Sequence, residues 1–138
     1  MNNLLRIALL VSFTLPLAGC FPEVQTRVPA IKGQVTRSGV PAQGIIVILS
    51  REHNSCSKPY QQSATDIGGR FGISPIREFG IGKLFVSPEL KYTVCLDSGS
   101  GPVVAWTQKT RGGPAPRTMS CDLAKPWESP DKQTCEQH

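Results

Sequence analysis

Glycine and proline recur so closely along this chain that they leave room only for short extended segments. The 138 residues include 13 Gly and 12 Pro, and no stretch longer than a turn or two carries apolar residues at helical spacing. Between these turn residues the chain alternates apolar and polar side chains or runs through β-branched residues, a pattern typical of strands. The predicted strands are residues 31–36, 45–49, 63–66, 70–73, 83–86, 92–96, 103–109 and 117–123. The pattern predicts an all-β fold, a small antiparallel β-sandwich of about seven strands.

The connections between these strands are also predicted from turn residues. The pair Gly68-Gly69 predicts a tight turn that joins 63–66 and 70–73 as a hairpin. Residues 74–82 are predicted as a turn-rich connection, and 51–62 as the longest polar loop. The last three strands are expected to follow one another as a simple meander.

The N-terminus carries a targeting signal. Leu17-Ala18-Gly19-Cys20 ends a short apolar run that follows Arg6, and Ala18 and Gly19 are small residues of the kind a signal peptidase requires. The run is too short for a membrane-spanning helix, which needs about 20 apolar residues. These four residues resemble the lipobox of bacterial lipoproteins. The alternative is an ordinary cleaved signal with a chance cysteine.

The lipobox resemblance implies a compartment and a membrane anchor. It implies that residues 1–19 are a signal peptide and that Cys20 is acylated at the new N-terminus. More than one acyl chain gives stable anchoring, whereas a single chain binds only marginally. Phe21 follows the cysteine in place of the Asp that retains many such lipoproteins in the inner membrane. The resemblance therefore implies an outer-membrane, lipid-anchored protein that faces the periplasm.

The length of the chain limits the number of domains, and the distribution of its charges argues against nucleic-acid binding. Removal of residues 1–19 would leave 119 residues, enough for one small domain. It would also lower the formal net charge from +5 to +4, because Arg6 is lost. The remaining charges are scattered along the chain, so we expect no nucleic-acid partner and interpret them as a solvated surface.

Four cysteines follow Cys20, namely Cys56, Cys95, Cys121 and Cys135. In an oxidising compartment an even count predicts two disulfides, whereas a zinc site would need close Cys-x-x-Cys pairs that are missing. A meander would hold Cys95 and Cys121 about 9–10 Å apart, beyond the roughly 7 Å that a disulfide tolerates. Two pairings remain, Cys56–Cys95 with Cys121–Cys135 or Cys56–Cys121 with Cys95–Cys135. The first is favoured because it fixes a proline-rich tail.

A second resemblance covers about two-thirds of the mature chain. The segments Gly33-Gln34-Val35, Gly39-Val40-Pro41-Ala42-Gln43-Gly44 and Thr65-Asp66-Ile67-Gly68-Gly69-Arg70-Phe71 resemble the motif of the carboxypeptidase regulatory-like domain. That family is a transthyretin-like, or prealbumin-like, β-sandwich, and it is an accessory module rather than the catalytic part of its enzymes. The resemblance implies a tether at 20–30, a sandwich at 31–124 and a C-terminal tail at 125–138. The scaffold residues that it implies are Gly33, Gly39, Pro41, Gly44, Asp66, Gly69 and Phe71.

The inventory of reactive residues argues against catalysis. The chain has two histidines, His53 and His138, and it lacks both a Gly-x-Ser-x-Gly elbow and a phosphate-binding Gly-rich loop. Its ten acidic residues stand in no context typical of a glycosidase pair. We therefore predict a non-enzyme with no catalytic residue, metal or cofactor.

Binding residues are harder to assign from the sequence. Trp106 and Trp127 could form a stacking platform for sugars, although Trp106 lies mid-strand and is expected in the core. Trp127 either is exposed or pins the tail, and the 51–62 loop either binds a partner or merely connects strands. We expect a lipid-anchored envelope protein that acts as a binding or structural module toward an unknown envelope protein or glycan. The alternatives are an inhibitor or immunity-type lipoprotein that blocks a periplasmic enzyme and a carbohydrate- or peptidoglycan-binding module.

Overall fold

The structure, a computed structural model, describes residues 22–81, 90–110 and 117–138. Regular structure within these ranges consists entirely of β-strands, and none of it is an apolar helix of the length that a membrane crossing requires. The strands are Pro22–Val28 (β1), Ile31–Arg37 (β2), Val40–Pro41 (β3), Ile46–Ser50 (β4), Pro59–Ala64 (β5), Arg70–Ile73 (β6), Ile76–Ile81 (β7), Leu90–Asp97 (β8), Pro102–Thr110 (β9), Arg117–Asp122 (β10) and Cys135–Gln137 (β11).

Two sheets form a sandwich, and a third sheet extends from it. The first has the order β11-β10-β2, with β3 and β6 both paired to the other edge of β2. The second has the order β5-β4-β8-β9. The third sheet is a two-stranded ribbon of β1 and β7, and it continues the register of β2 and β6. Val28 pairs with Ile76 in the ribbon, and Ile31 pairs with Ile73 in the sandwich. The predicted all-β sandwich is confirmed, with more strands than the sequence pattern indicated.

The core lies between the two large sheets. Alternating residues of β2, β4, β6, β8 and β10 belong to the core, which joins Ile31 and Val35 of β2 to the apolar residues of β4 and β8. The largest of the fully buried side chains is Tyr92, whose ring lies 5.6 Å from that of Trp106 between ring centres. Burial raises the pKa of the Tyr92 phenol, because ionisation there would place a charge in an apolar site. The core is therefore one continuous cluster.

The predicted hairpin at Gly68-Gly69 is wrong, although the turn exists. β5 pairs with β4 in one sheet, whereas β6 pairs with β2 in the other, so the turn is a corner between sheets. Asp66 shapes this corner, because its Oδ1 accepts hydrogen bonds from the backbone N–H groups of Gly68 and Arg70, each at 2.8 Å. A short turn fixes chain reversal but does not decide which strands pair across it.

The predicted meander is also wrong at its last step. β8 and β9 are antiparallel neighbours, but β10 crosses to the other sheet and runs parallel to β2 from Ile31 to Thr36. The sandwich is thus antiparallel except at this one pair of strands among the described residues. Parallel neighbours need a crossover connection rather than a tight hairpin, and residues 111–116 of that connection lie outside the described part.

Several segments predicted as irregular form strands instead, including the start of β5 in the predicted 51–62 loop and β11 in the predicted tail. Residues 22–28, expected to belong to the tether, form β1, and residues 76–81 of the turn-rich connection form β7. Each of these strands has a single neighbour, so backbone pairing compensates for sequences that are poor in apolar alternation. The predicted strand at 83–86 and the lipidation site Cys20 lie outside the described residues.

Candidate functional site

The polar loop after β4 folds back over the outer face of the four-stranded sheet. Its anchor is the disulfide from Cys56 to Cys95, whose Cα atoms are 6.1 Å apart. Beneath the loop lie Ser50, Thr93 and Thr107, which are fully or almost fully buried although they face away from the core. Both faces of β8 are therefore covered at this point, and the loop packs on its own sheet.

A chain of hydrogen bonds joins this loop to the sheet. The Thr93 hydroxyl donates to the Glu52 carbonyl oxygen at 2.6 Å and accepts from the Asn54 backbone N–H at 2.8 Å. Thr107 Oγ1 lies 3.2 Å from Thr93 Oγ1 and 2.9 Å from His53 Nδ1. Since Thr93 gives its only proton to Glu52, one arrangement uses all of these contacts: Thr107 donates to Thr93, and His53 donates from Nδ1 to Thr107. Every contact is satisfied in this arrangement, so the cluster fastens the loop.

A carboxylate stabilises the exposed side of the same loop. Glu52 binds Lys58 at 2.6 Å between Oε1 and Nζ, and its other oxygen accepts a hydrogen bond from the Ser57 hydroxyl. The Lys58 and Ser57 hydrogen bonds lower the pKa of Glu52 from 4.5 to about 2. The loop is therefore held through its main chain, its disulfide and an ion pair.

The second disulfide closes a loop that lines one side of a groove. Cys121 of β10 and Cys135 of β11 are direct cross-strand partners and form the bond, with Cα atoms 4.0 Å apart. At the start of the closed loop, Asp122 Oδ1 accepts hydrogen bonds from Ala124 N at 3.0 Å and Ser38 N at 2.9 Å. These backbone donors lower the pKa of Asp122 below its ordinary value. At the far end Gln133 binds Thr107 N and the Pro130 carbonyl.

The groove itself opens between the edge of the four-stranded sheet and this closed loop, and its volume is about 430 Å³. Its walls are mostly apolar and combine residues of β8, β9 and the tail: Leu96, Val103, Val104, Leu123, Lys125, Pro126, Trp127 and Thr134. Such a volume falls within the range of preformed ligand sites. Val103 contributes an unusually accessible apolar surface, being 59% exposed. The groove can therefore receive an apolar group without rearrangement of the core.

The two tryptophans take different roles. Trp106 is a core residue, as expected from its mid-strand position, and only 6% of it is exposed. Trp127 is half-buried in the groove wall, and its Nε1 is buried with no hydrogen-bond partner among the described residues. The polar edge of this indole is thus turned away from solvent. The rest of the ring lines the groove.

The scaffold residues implied by the family resemblance gather around the corner between the sheets. Gly69 has φ +71°, and its backbone packs against Val35 and the Pro41–Ala42 turn. Gly33 lies where any side chain would collide with the Phe71 ring and the Met119 carbonyl. Gly39, Gly44 and Asp66 lie in the turns of the same region. These residues build the fold and do not line the groove.

The disulfides join Cys56 to Cys95 and Cys121 to Cys135, which is the pairing that the sequence argument favours. The groove residues were not predicted, apart from Trp127, because they come from three separate segments with no shared motif. No group of three or more possible metal-ligating side chains occurs in the described ranges. Comparisons with known protein families, with curated proteins and with solved structures found no match to this chain.

Proposed function

We propose that this chain is a lipid-anchored protein of the cell envelope, attached through Cys20, whose β-sandwich binds a partner in the groove between β9 and the disulfide-closed tail. The observation that carries the proposal is the groove: it is preformed, mostly apolar, and held by a disulfide and by the hydrogen bonds of Asp122 and Gln133. A wall fixed in this way loses little conformational entropy on binding, which favours affinity.

The location follows from the lipobox and agrees with the disulfides. Two bonded cysteine pairs in a small domain are typical of proteins exported to an oxidising compartment. The structure bears differently on the two alternative functions, an inhibitor and a glycan binder. An inhibitor that works through a projecting loop gains no support from the loop after β4, which is fastened to its own sheet. A glycan binder that relies on a hydrogen bond from the indole N–H of Trp127 gains no support, because that group is buried.

In-cell photocrosslinking tests the binding site. A photoreactive residue is placed at Val103, an exposed groove residue, and in a matched variant at Thr118, which is exposed on the outer face of the other sheet. We expect a discrete adduct from position 103 and none from position 118. Equal adducts from both positions, or none from position 103, would refute the groove as the binding site.

Membrane attachment is tested separately with Cys20→Ser. We expect the wild-type protein in the membrane fraction with an acylated N-terminus, and the variant either unprocessed or soluble. Recovery of soluble wild-type protein with an unmodified N-terminus would contradict the lipoprotein assignment.

A further inference from the structure

The outer edge of β9 lies beside the groove and is not covered by any strand of the described residues. β9 is the last strand of its sheet, and no described strand pairs with its outer side. At one point this edge already has a substitute partner, since the Thr107 backbone N–H donates to the Gln133 side-chain oxygen at 2.9 Å. Gln133 thus accepts a hydrogen bond that the carbonyl of a neighbouring strand would otherwise accept. A strand added alongside Pro102–Trp106 would end at this point, because Gln133 already occupies the edge at Thr107.

The groove suits a side chain of such an added strand. Val103 and Val104 lie on β9 itself, while Leu123 and Trp127 face them from the closed loop. A strand laid along β9 would direct alternate side chains to the same face, so one of them would enter the groove. An acyl chain would fill the apolar space but would leave the backbone of β9 unpaired.

The charge of the groove selects among peptides. Lys125 is the one charged residue of the lining described above, and no carboxylate belongs to that lining. Its ammonium group lies 3.2 Å from Glu136 in an ion pair whose side chains are 62% and 63% exposed. Exposed pairs of this kind are worth little, so an acidic group of a ligand can replace Glu136 at Lys125.

We propose that the groove takes an extended polypeptide segment that adds to the outer edge of β9, with an apolar side chain in the groove and an acidic residue beside Lys125. The proposal rests on the proposed function, because it names the class of partner for the same groove. Three features agree on this class: a strand edge that no described strand covers, an apolar pocket beside it and a lysine at its rim whose ion pair is exposed.

The test uses a blocked synthetic peptide that alternates Val and Thr and carries one Phe followed by one Asp. Binding is followed by amide hydrogen exchange and by nuclear magnetic resonance titration of the purified, disulfide-intact protein. We expect exchange to slow at those amides between Val103 and Trp106 whose N–H groups point away from β8, because the others already pair with that strand. A peptide of the same sequence with N-methylated backbone should bind about tenfold more weakly, because it lacks the strand's donors.

Two lysine variants test the charge. Lys125→Met should weaken binding of the peptide about threefold, as expected for an exposed charge contact. Lys132→Met is the matched control, since Lys132 forms an equally long exposed ion pair with Glu128 in the same tail but does not line the groove. We expect no change in that variant. Equal losses in both would contradict the role of Lys125.

Dodecanoate and a soluble N-acetylglucosamine oligomer serve as competing probes. Binding of either one in the groove, with no slowing of exchange by the peptide, would overturn the polypeptide proposal and leave the groove as a binding site. Equal affinity of the normal and N-methylated peptides would overturn strand addition. Absence of crosslinks at Val103 in cells would instead refute the proposed function on which this inference rests.

Discussion

Replacement of Gly69 by Ala tests the corner between the sheets most directly. Gly69 has φ +71°, a conformation that an L-residue adopts at a cost of about 1–2 kcal/mol. In addition, a Cβ at this position would collide with the Val35 carbonyl oxygen and lie 3.1 Å from Ala42 N. The backbone on both sides must therefore shift to admit even one methyl group.

The shift disturbs hydrogen bonds that join the corner to β2. Val35 N donates to the Gly69 carbonyl at 2.7 Å, and Ala42 N donates to the Val35 carbonyl at 2.9 Å. Loss of each bond removes about 0.5–1.5 kcal/mol. Together with the backbone strain, Gly69→Ala should lower the free energy of unfolding by about 2–5 kcal/mol.

Gly44→Ala is the matched control. Gly44 has a similar φ of +76°, but no atom lies within 4 Å of the position that its Cβ would occupy. This variant should lose only the strain, about 1–2 kcal/mol. Urea unfolding followed by circular dichroism measures both losses under conditions that keep the disulfides intact. Equal losses in the two variants would refute the close approach between the Gly69 corner and β2.

Two further predictions concern the disulfides and the loop after β4. Limited reduction of the folded protein should open Cys56–Cys95 before Cys121–Cys135, because Cys56 is half-buried whereas both cysteines of the second pair are at most 2% exposed. Differential alkylation followed by mass spectrometry measures the order of reduction. Simultaneous reduction of the two bonds would contradict the prediction. The lowered pKa of Glu52 means that its stabilising contacts are complete above pH 4.5 and are lost as pH falls toward about 2. Glu52→Gln should therefore lose less stability than wild type over that acid range, and identical pH profiles from urea unfolding would contradict the assignment.

Local signals in the sequence gave the strands of the sandwich but not their partners. The β-branched run at 45–49 and the alternation at 92–96 became β4 and β8, because these segments bury apolar side chains in the core. The tight turn at Gly68-Gly69 also exists. Its flanking strands nevertheless separate into different sheets: β6 pairs with β2, and Phe71 and Ile73 of β6 are buried in the core. Strand pairing depends on contacts far apart in sequence, which turn residues do not encode.

The sequence-based prediction of the disulfide pairing was also limited by unknown strand pairing. It favoured the pairing present in the structure, yet its premise of a meander was wrong, because β10 belongs to the other sheet. The reason β10 can lie beside β2 is visible at Gly33. A side chain there would meet the Met119 carbonyl and the Phe71 ring, so only glycine lets β10 and Phe71 approach β2 from two sides. Gly33 thus has a packing role that spacing along the sequence does not reveal.

The position of the groove depends on contacts outside the hydrophobic core. The closed loop after β10 contributes little to the core, which it reaches through the partly buried Leu123 and the buried Cys135. Its position rests on the Cys121–Cys135 bond, on Asp122 at its start and on Gln133 at its end. Gln133 fixes the loop by binding the edge of β9 at Thr107. The same contact therefore places the groove beside the adjoining part of that edge. A short tail that cannot build its own core is therefore held where a partner strand would dock.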